Sequence, residues 1–312
     1  MLADLLRLLL LFEIFAEVFG ALMLTRWGHV SWAVVLTLIL AFSFGLRIIG
    51  VGMVYFSGYF HRALNEHSVA WDISSMWQTL LRECCVIWIL EWVCAFPSLF
   101  MRKDARNMNA RGGMKTSASN PTPFLLVHGY MGNRGVWWWL KPRLEARGYP
   151  VATMTLEPLQ GDIDGYTEQI ARRVAWLRSE LKVDRVNLVG HGMGGLACLA
   201  YLRRYGEDHV ERLISLGTPH AGTALLPPGW KWGRNLGQMC AGSVWLAELR
   251  AFFEDMPLVI PYVVLHGVHD PLMTPIETAM MKGADARALA GLGHWEMLAS
   301  TRVLESMLMV RG

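Results

Sequence analysis

Residues 186–195 read Val-Asn-Leu-Val-Gly-His-Gly-Met-Gly-Gly, an apolar strand running straight into a glycine-dense turn and then a helix. Backbone N–H groups at such a turn are suited to stabilising an oxyanion. Other segments bring imidazoles and a carboxylate to the ends of short apolar runs. These are Leu126-Val127-His128-Gly129-Tyr130, Leu216-Gly217-Thr218-Pro219-His220-Ala221-Gly222, Leu265-His266-Gly267-Val268-His269-Asp270-Pro271 and Gly291-Leu292-Gly293-His294. Groups of this kind serve acyl transfer: a hydroxyl attacks the carbonyl, an imidazole takes its proton, and a carboxylate fixes the imidazole's tautomer. The cysteines, Cys84, Cys85, Cys94, Cys198 and Cys240, show neither C-x-x-C nor Cys/His metal spacing. Buried, reduced thiols are therefore expected, with no disulfide framework, no metal and no cofactor.

Taken in order, these segments resemble the α/β-hydrolases, specifically bacterial lipases and esterases. The nucleophile elbow of that family is G-x-S-x-G at a strand–turn–helix junction. Here the pattern is Gly190-His191-Gly192-Met193-Gly194, so Gly192 occupies the serine position. The resemblance implies an oxyanion hole from the backbone N–H groups of Tyr130 and Met193, with Asp270 as triad acid and His294 as base. Nucleophile, acid and base follow the family's chain order. The resemblance covers residues 121–312. It implies an α/β fold, a mostly parallel sheet with helices on both faces, and hydrolysis of lipid-like carboxylic esters.

Gly192 has no side chain, so no covalent acyl-enzyme can form there. Loss of the serine from a triad costs on the order of 10⁶ in kcat, with roughly 10³–10⁴ over water surviving. Glycine accepts positive φ without strain, so the elbow geometry is kept while the nucleophile is deleted. Three readings fit. The chain is a natural non-catalytic relative that binds a lipid or a partner; or an enzyme whose serine has been replaced; or a site where His294 and Asp270 activate water directly. His191, just before the elbow tip, is expected to point away from the pocket.

Further candidates to face substrate are Trp137, Trp138, His220, Trp230 and Trp245. Three consecutive tryptophans, 137–139, cannot all face one way on a helix. Residues 224–257 lie where the family inserts a cap, and a tryptophan-rich cap suits an apolar acyl chain. For His128 and His220, structural hydrogen bonding is the plainer reading.

The elements that must position these groups alternate. Short β-rich runs fall at 124–127, 151–156, 186–189, 213–216 and 262–265. Helical stretches fall at 137–147, 166–182 and 194–205. Alternation of this kind predicts a parallel sheet covered on both faces.

Residues 1–101 read differently. The AVILMFWYC set makes up 53% of the chain, charged residues 18%, and the mean hydropathy is +0.29. This excludes a disordered chain. A net charge of +3 gives no reason to expect nucleic acid as a partner. Residues 27–46 hold no Asp, Glu, Lys or Arg, long enough for a bilayer core. A helical hairpin is expected over 5–24 and 30–56, turning at 25–29. A third, weaker span is expected at 84–101, and a surface helix over 68–81 with Asp72 as N-cap and Trp71 and Trp77 at headgroup level. Glu13, Glu17, Arg47 and Glu91 lie within these apolar stretches. They are expected to pair inside the hairpin or with another chain, whether a second copy or a membrane-protein partner. Residues 102–120 form a basic linker with Arg102, Lys103, Arg106, Arg111 and Lys115 against Asp104 alone. The expected organisation is membrane-anchoring helices over 1–101, this linker, and a hydrolase unit over 121–312. The protein is then integral to a bacterial inner membrane. The basic stretch favours a cytoplasmic hydrolase unit.

Overall fold

The computed structural model describes residues 1–28, 30–65, 73–101, 121–226 and 233–309. The basic linker, Trp71, Asp72 and Trp230 lie outside the described residues.

Six strands form one parallel sheet: β1 (Phe124–Val127), β2 (Val151–Thr153), β3 (Val186–His191), β4 (Val210–Leu216), β5 (Tyr262–Gly267) and β6 (Asp285–Leu289). Their order is β2-β1-β3-β4-β5-β6. Parallel strands covered on both faces read as continuous apolar runs, and their side chains alternate between the two covers. Leu125, Val127, Leu188 and Val264 pack toward α6 (Ile163–Leu181), α7 (Met193–Tyr205), α8 (Arg234–Met239) and α9 (Val244–Asp255). Phe124, Leu126, Val189 and Leu265 pack the other way, toward α5 (Leu140–Ala146) and α10 (Thr301–Leu308). The expected parallel α/β sheet is present. β6, with sequence Asp-Ala-Arg-Ala-Leu, is an edge strand with mostly exposed side chains and carries no apolar run to announce it. The helix expected over 137–147 opens instead as a 3₁₀ turn, Arg134–Trp137, before α5.

The first part of the chain is helical. α1 spans Leu2–Gly28 and α2 spans Trp32–Asn65. Both are long and apolar enough to cross a membrane, with hydropathies of 2.1 and 2.3. Only 11% and 22% of those windows are buried, so neither is a core helix of a globular unit. Phe12, Phe15, Ile49 and Phe56 are each more than 60% exposed. At about 1.5 Å per residue, the 34-residue α2 is longer than a bilayer core of about 30 Å. Its last turns reach the α/β unit, where a Cβ on Gly58 would touch Pro271.

The separate segments expected at 68–81 and 84–101 are instead one helix, α3 (Ile73–Ala95), followed by the short α4 (Pro97–Phe100). Proline at position 97 supplies no backbone N–H and begins the new turn. α3 lies between the α1/α2 pair and the α/β unit, in contact with all three. Arg47 of α2 donates to Glu13 of α1 and to Glu91 of α3, so these three charges pair within the chain, while Oε1 of Glu17 is buried without a hydrogen-bond partner.

Candidate active site

β3 ends at His191 and α7 starts at Met193, leaving Gly192 alone at the turn with φ 52° and ψ −121°. This lies in the positive-φ region that glycine tolerates. A side chain at Gly194 would run into the carbonyls of Val127 and His128, so the helix start rests directly on the end of β1. Met193 is the first residue of α7, and its N–H has no partner inside the helix. Tyr130 follows the end of β1, and both residues line the same cavity.

His294 lines that cavity, and Asp270 lies buried behind it. The Nδ1–H of His294 donates to Oδ2 of Asp270 at 2.8 Å, and the carboxylate is fully buried. The other oxygen, Oδ1, accepts from the backbone N–H of Leu272 at 2.8 Å. With Nδ1 committed as donor, Nε2 of His294 carries the lone pair. A Cβ on Gly192 would stand 3.3 Å from that Nε2. The sequence-predicted acid and base thus meet at the position without a side chain.

Two further imidazoles frame the turn. His128 accepts the N–H of Leu156 at Nε2 (2.9 Å) and donates from Nδ1 to the carbonyl of Gly129 (2.8 Å). Burial pushes its pKa down to about 4, so it stays neutral and braces the loop that carries Tyr130. His191 does not point away from the pocket as expected. It lines the cavity, its ring centroid lies 4.4 Å from that of His294, and its Nε2 donates to the His294 carbonyl at 3.1 Å. Burial, with His294 alongside, holds its pKa well below the usual value.

The cavity holds about 470 Å³ at the carboxyl ends of the strands, where open parallel sheets bind ligands. The walls are mainly apolar. Leu225, Leu226, Leu236 and Met239 close one side, and Leu6, Val54, Ile87 and Leu90 from α1, α2 and α3 close another.

The family described as alpha/beta hydrolase fold matches residues 122–251. The α/β part of the chain has the α/β-hydrolase fold and is lipase- and esterase-like. A triacylglycerol lipase of Pseudarthrobacter phenanthrenivorans is 29% identical over 116 residues, covering 35% of this chain and 36% of that protein. A triacylglycerol lipase of Burkholderia plantarii is likewise 29% identical over 116 residues, 35% of this chain and 32% of its own length. The match thus spans about a third of these curated relatives. Among solved structures, the mature lipase BlEst2 of Bacillus licheniformis superposes with a TM-score of 0.53 at 19% identity, covering 62% of this chain and 94% of that one. Lipase B of Aspergillus fumigatus superposes with a TM-score of 0.50 at 15% identity, covering 57% and 49%.

The other expected pocket residues lie elsewhere. Trp137 is fully buried in the core beneath the sheet, and Trp138 packs on the same cluster. Trp245 packs on the opposite core and donates from Nε1 to Asp164 Oδ2 at 2.7 Å. His220 is buried and donates from Nδ1 to the carbonyl of Ala279 at 2.6 Å, while Nε2 accepts from the Tyr262 hydroxyl. None of these four lines the cavity, because strong core packing or internal hydrogen bonds already occupy them. Of the described residues over 224–257, Leu225, Leu226, Leu236 and Met239 line the cavity, and Trp245 does not.

Sequence reasoning passed over Arg62 and Glu83. Arg62 donates to the carbonyls of Val268, Asp270 and Met273. Glu83 accepts from the N–H groups of Trp295 (3.1 Å) and Glu296 (2.6 Å), directly after His294. The signal available was a carboxylate inside an apolar helix, which is costly unless partnered. Burial pushes the pKa of Glu83 up from 4.5 to about 8, against those two donors, which favour the carboxylate. Between these values the folded chain keeps a proton that the unfolded chain has released. Stability therefore falls as pH rises from about 4.5 to 8 and levels off above. Thermal unfolding across that window is expected to show this slope, and Glu83→Gln to flatten it. An unchanged slope in the variant contradicts the assignment.

Proposed function

We propose that this α/β-hydrolase is a membrane-anchored protein whose cavity takes a lipid-type carboxylic ester. As it stands, with glycine at 192, it holds the ester without forming an acyl-enzyme. One observation carries this reading: the Cβ direction of Gly192 leads to Nε2 of a histidine already oriented by a buried aspartate. Tyr130 and Met193 supply the oxyanion donors. The apolar walls suit an acyl chain, and the volume lies in the usual range of roughly 300–1,000 Å³ for such sites. Two of the relatives that match are triacylglycerol lipases by name.

Anchoring is supported by the exposed apolar faces of α1 and α2. In this reading residues 1–101 are the membrane region, 102–120 a basic linker on the cytoplasmic side, and 121–312 the hydrolase unit. Arg47 pairs with Glu13 and Glu91 of its own chain, so these three charges need no second chain.

The test is saturable binding of a fluorescent acylglycerol ester to the detergent-solubilised chain. Long acyl chains are expected to bind more tightly than short ones. Leu236→Trp, which narrows the cavity, is expected to weaken long-chain binding by about tenfold or more, since each lost methylene contact costs about 0.8 kcal/mol. Absence of saturable binding, or affinity blind to both changes, overturns the reading.

A further inference from the structure

The acid and the base sit on two loops of the α/β unit, yet both loops are gripped by residues from the helices that precede it. Arg62, at the end of α2, is buried and spans three carbonyls of one loop, those of Val268, Asp270 and Met273. The middle one belongs to the acid itself. Glu83, in the middle of α3, is fully buried and takes the N–H groups of the two residues after His294. Before His294 the approach is equally close. A Cβ on Gly293 would collide with the Glu83 carboxylate and the Tyr55 hydroxyl. The adjacent Arg82 donates to the carbonyl of Gly291 at 2.6 Å and pairs with Glu296 at 2.8 Å.

We propose that Arg62 and Glu83 are positioning residues for the site. On this view the helical region is part of the machinery that sets the Asp270–His294 geometry, as well as an anchor. The proposal rests on the acyl-ester reading above for its catalytic consequence, though its geometric consequence stands apart from it. The physical basis is the sensitivity of proton transfer to placement: a shift of about 1 Å in a reacting group costs on the order of a hundredfold in rate. Arg62 fixes the main chain of the acid, and Glu83 fixes the main chain of the two residues that follow the base. Neither touches substrate.

The first test needs no activity. In the chain as it stands, the Nδ1 proton of His294, bonded to Asp270, is expected to give a low-field proton resonance that His294→Ala removes. Arg62→Lys and Glu83→Gln, milder than alanine, are expected to shift or broaden it in protein that still unfolds cooperatively. An unmoved resonance in both variants overturns the proposal.

The second test uses the Gly192→Ser form, with active sites counted by a fluorophosphonate probe. Arg62→Ala and Glu83→Ala are expected to lower kcat per titrated site by about tenfold or more, with KM within about threefold and partial recovery in Arg62→Lys and Glu83→Gln. A fall in the number of titratable sites with kcat per site unchanged marks a purely structural role and overturns it. If Gly192→Ser shows no activity at all, the acyl-ester reading fails, and the resonance still decides the positioning role.

Discussion

Gly192→Ser is expected to raise ester hydrolysis by roughly four to six orders of magnitude over the chain with glycine. The figure comes from triad enzymes, where loss of the serine costs on the order of 10⁶ in kcat while about 10³–10⁴ over water persists. The geometry is set for it. A Cβ at this position lies 3.3 Å from Nε2 of His294 and 3.9 Å from Cα of Gly129, so a hydroxyl there falls within reach of the base. His294 is already held in the right tautomer by Asp270. The substitution is not free, because φ of 52° is strained for any residue with a Cβ, at about 1–3 kcal/mol. The serine form is therefore expected to be the more active and the less stable of the two. Adding His294→Ala should return activity to the glycine level, and adding Asp270→Asn should lower it by about 10⁴. The measurement is hydrolysis of short and long acyl esters, with fluorophosphonate labelling as a count of the nucleophile. A folded serine form that neither hydrolyses nor labels sinks the lipase-like reading of the site.

Much of this arrangement was legible in the chain, and the reason is local. The run from Val186 to Gly195 holds strand, turn and helix in ten residues, and each glycine has a nearby cause. Parallel strands buried on both faces also declare themselves as apolar runs, which is why five of the six could be read. β6 could not, since an exposed edge strand has no such run. The tryptophans misled for a related reason. Composition tells how much apolar surface a segment has, but not which side of the sheet it meets, and Trp137 went to the core. Arg62 and Glu83 were illegible for a different reason. Their partners lie some two hundred residues away, at Val268 to Met273 and at Trp295 and Glu296. A charge inside an apolar helix signals that a partner exists without naming it. The same holds for Arg47, whose partners were expected either inside the hairpin or in another chain.

Arg47 is where the second large effect is expected, on stability. It stands on α2, 8% exposed, and makes a two-pronged contact with Glu13 of α1: Nη1 to Oε1 at 2.7 Å and Nη2 to Oε2 at 2.9 Å. Its Nε donates to Glu91 of α3 at 3.0 Å, and Nη1 also reaches the Ser43 carbonyl and hydroxyl. One side chain therefore ties three helices together. Arg47→Ala leaves two carboxylates facing each other among apolar side chains, and breaking a buried pair from one side costs about 3–5 kcal/mol. In detergent the unfolding midpoint is expected to fall by on the order of 10 °C. Glu13→Gln and Glu91→Gln, added to Arg47→Ala, remove the stranded charges and should recover most of the loss. That recovery separates an uncompensated charge from a simple loss of packing, because packing lost with the arginine does not return when the acids are neutralised. The ion pair also bears on the site. Glu91 lines the cavity, and α3 carries Glu83, so loosening α3 from α2 should disturb the base before it unfolds the sheet. In the Gly192→Ser form, Arg47→Ala is accordingly expected to lose activity at temperatures where the α/β unit remains folded. Parallel loss of activity and of the sheet's circular dichroism would show instead that the helices and the sheet melt as one unit.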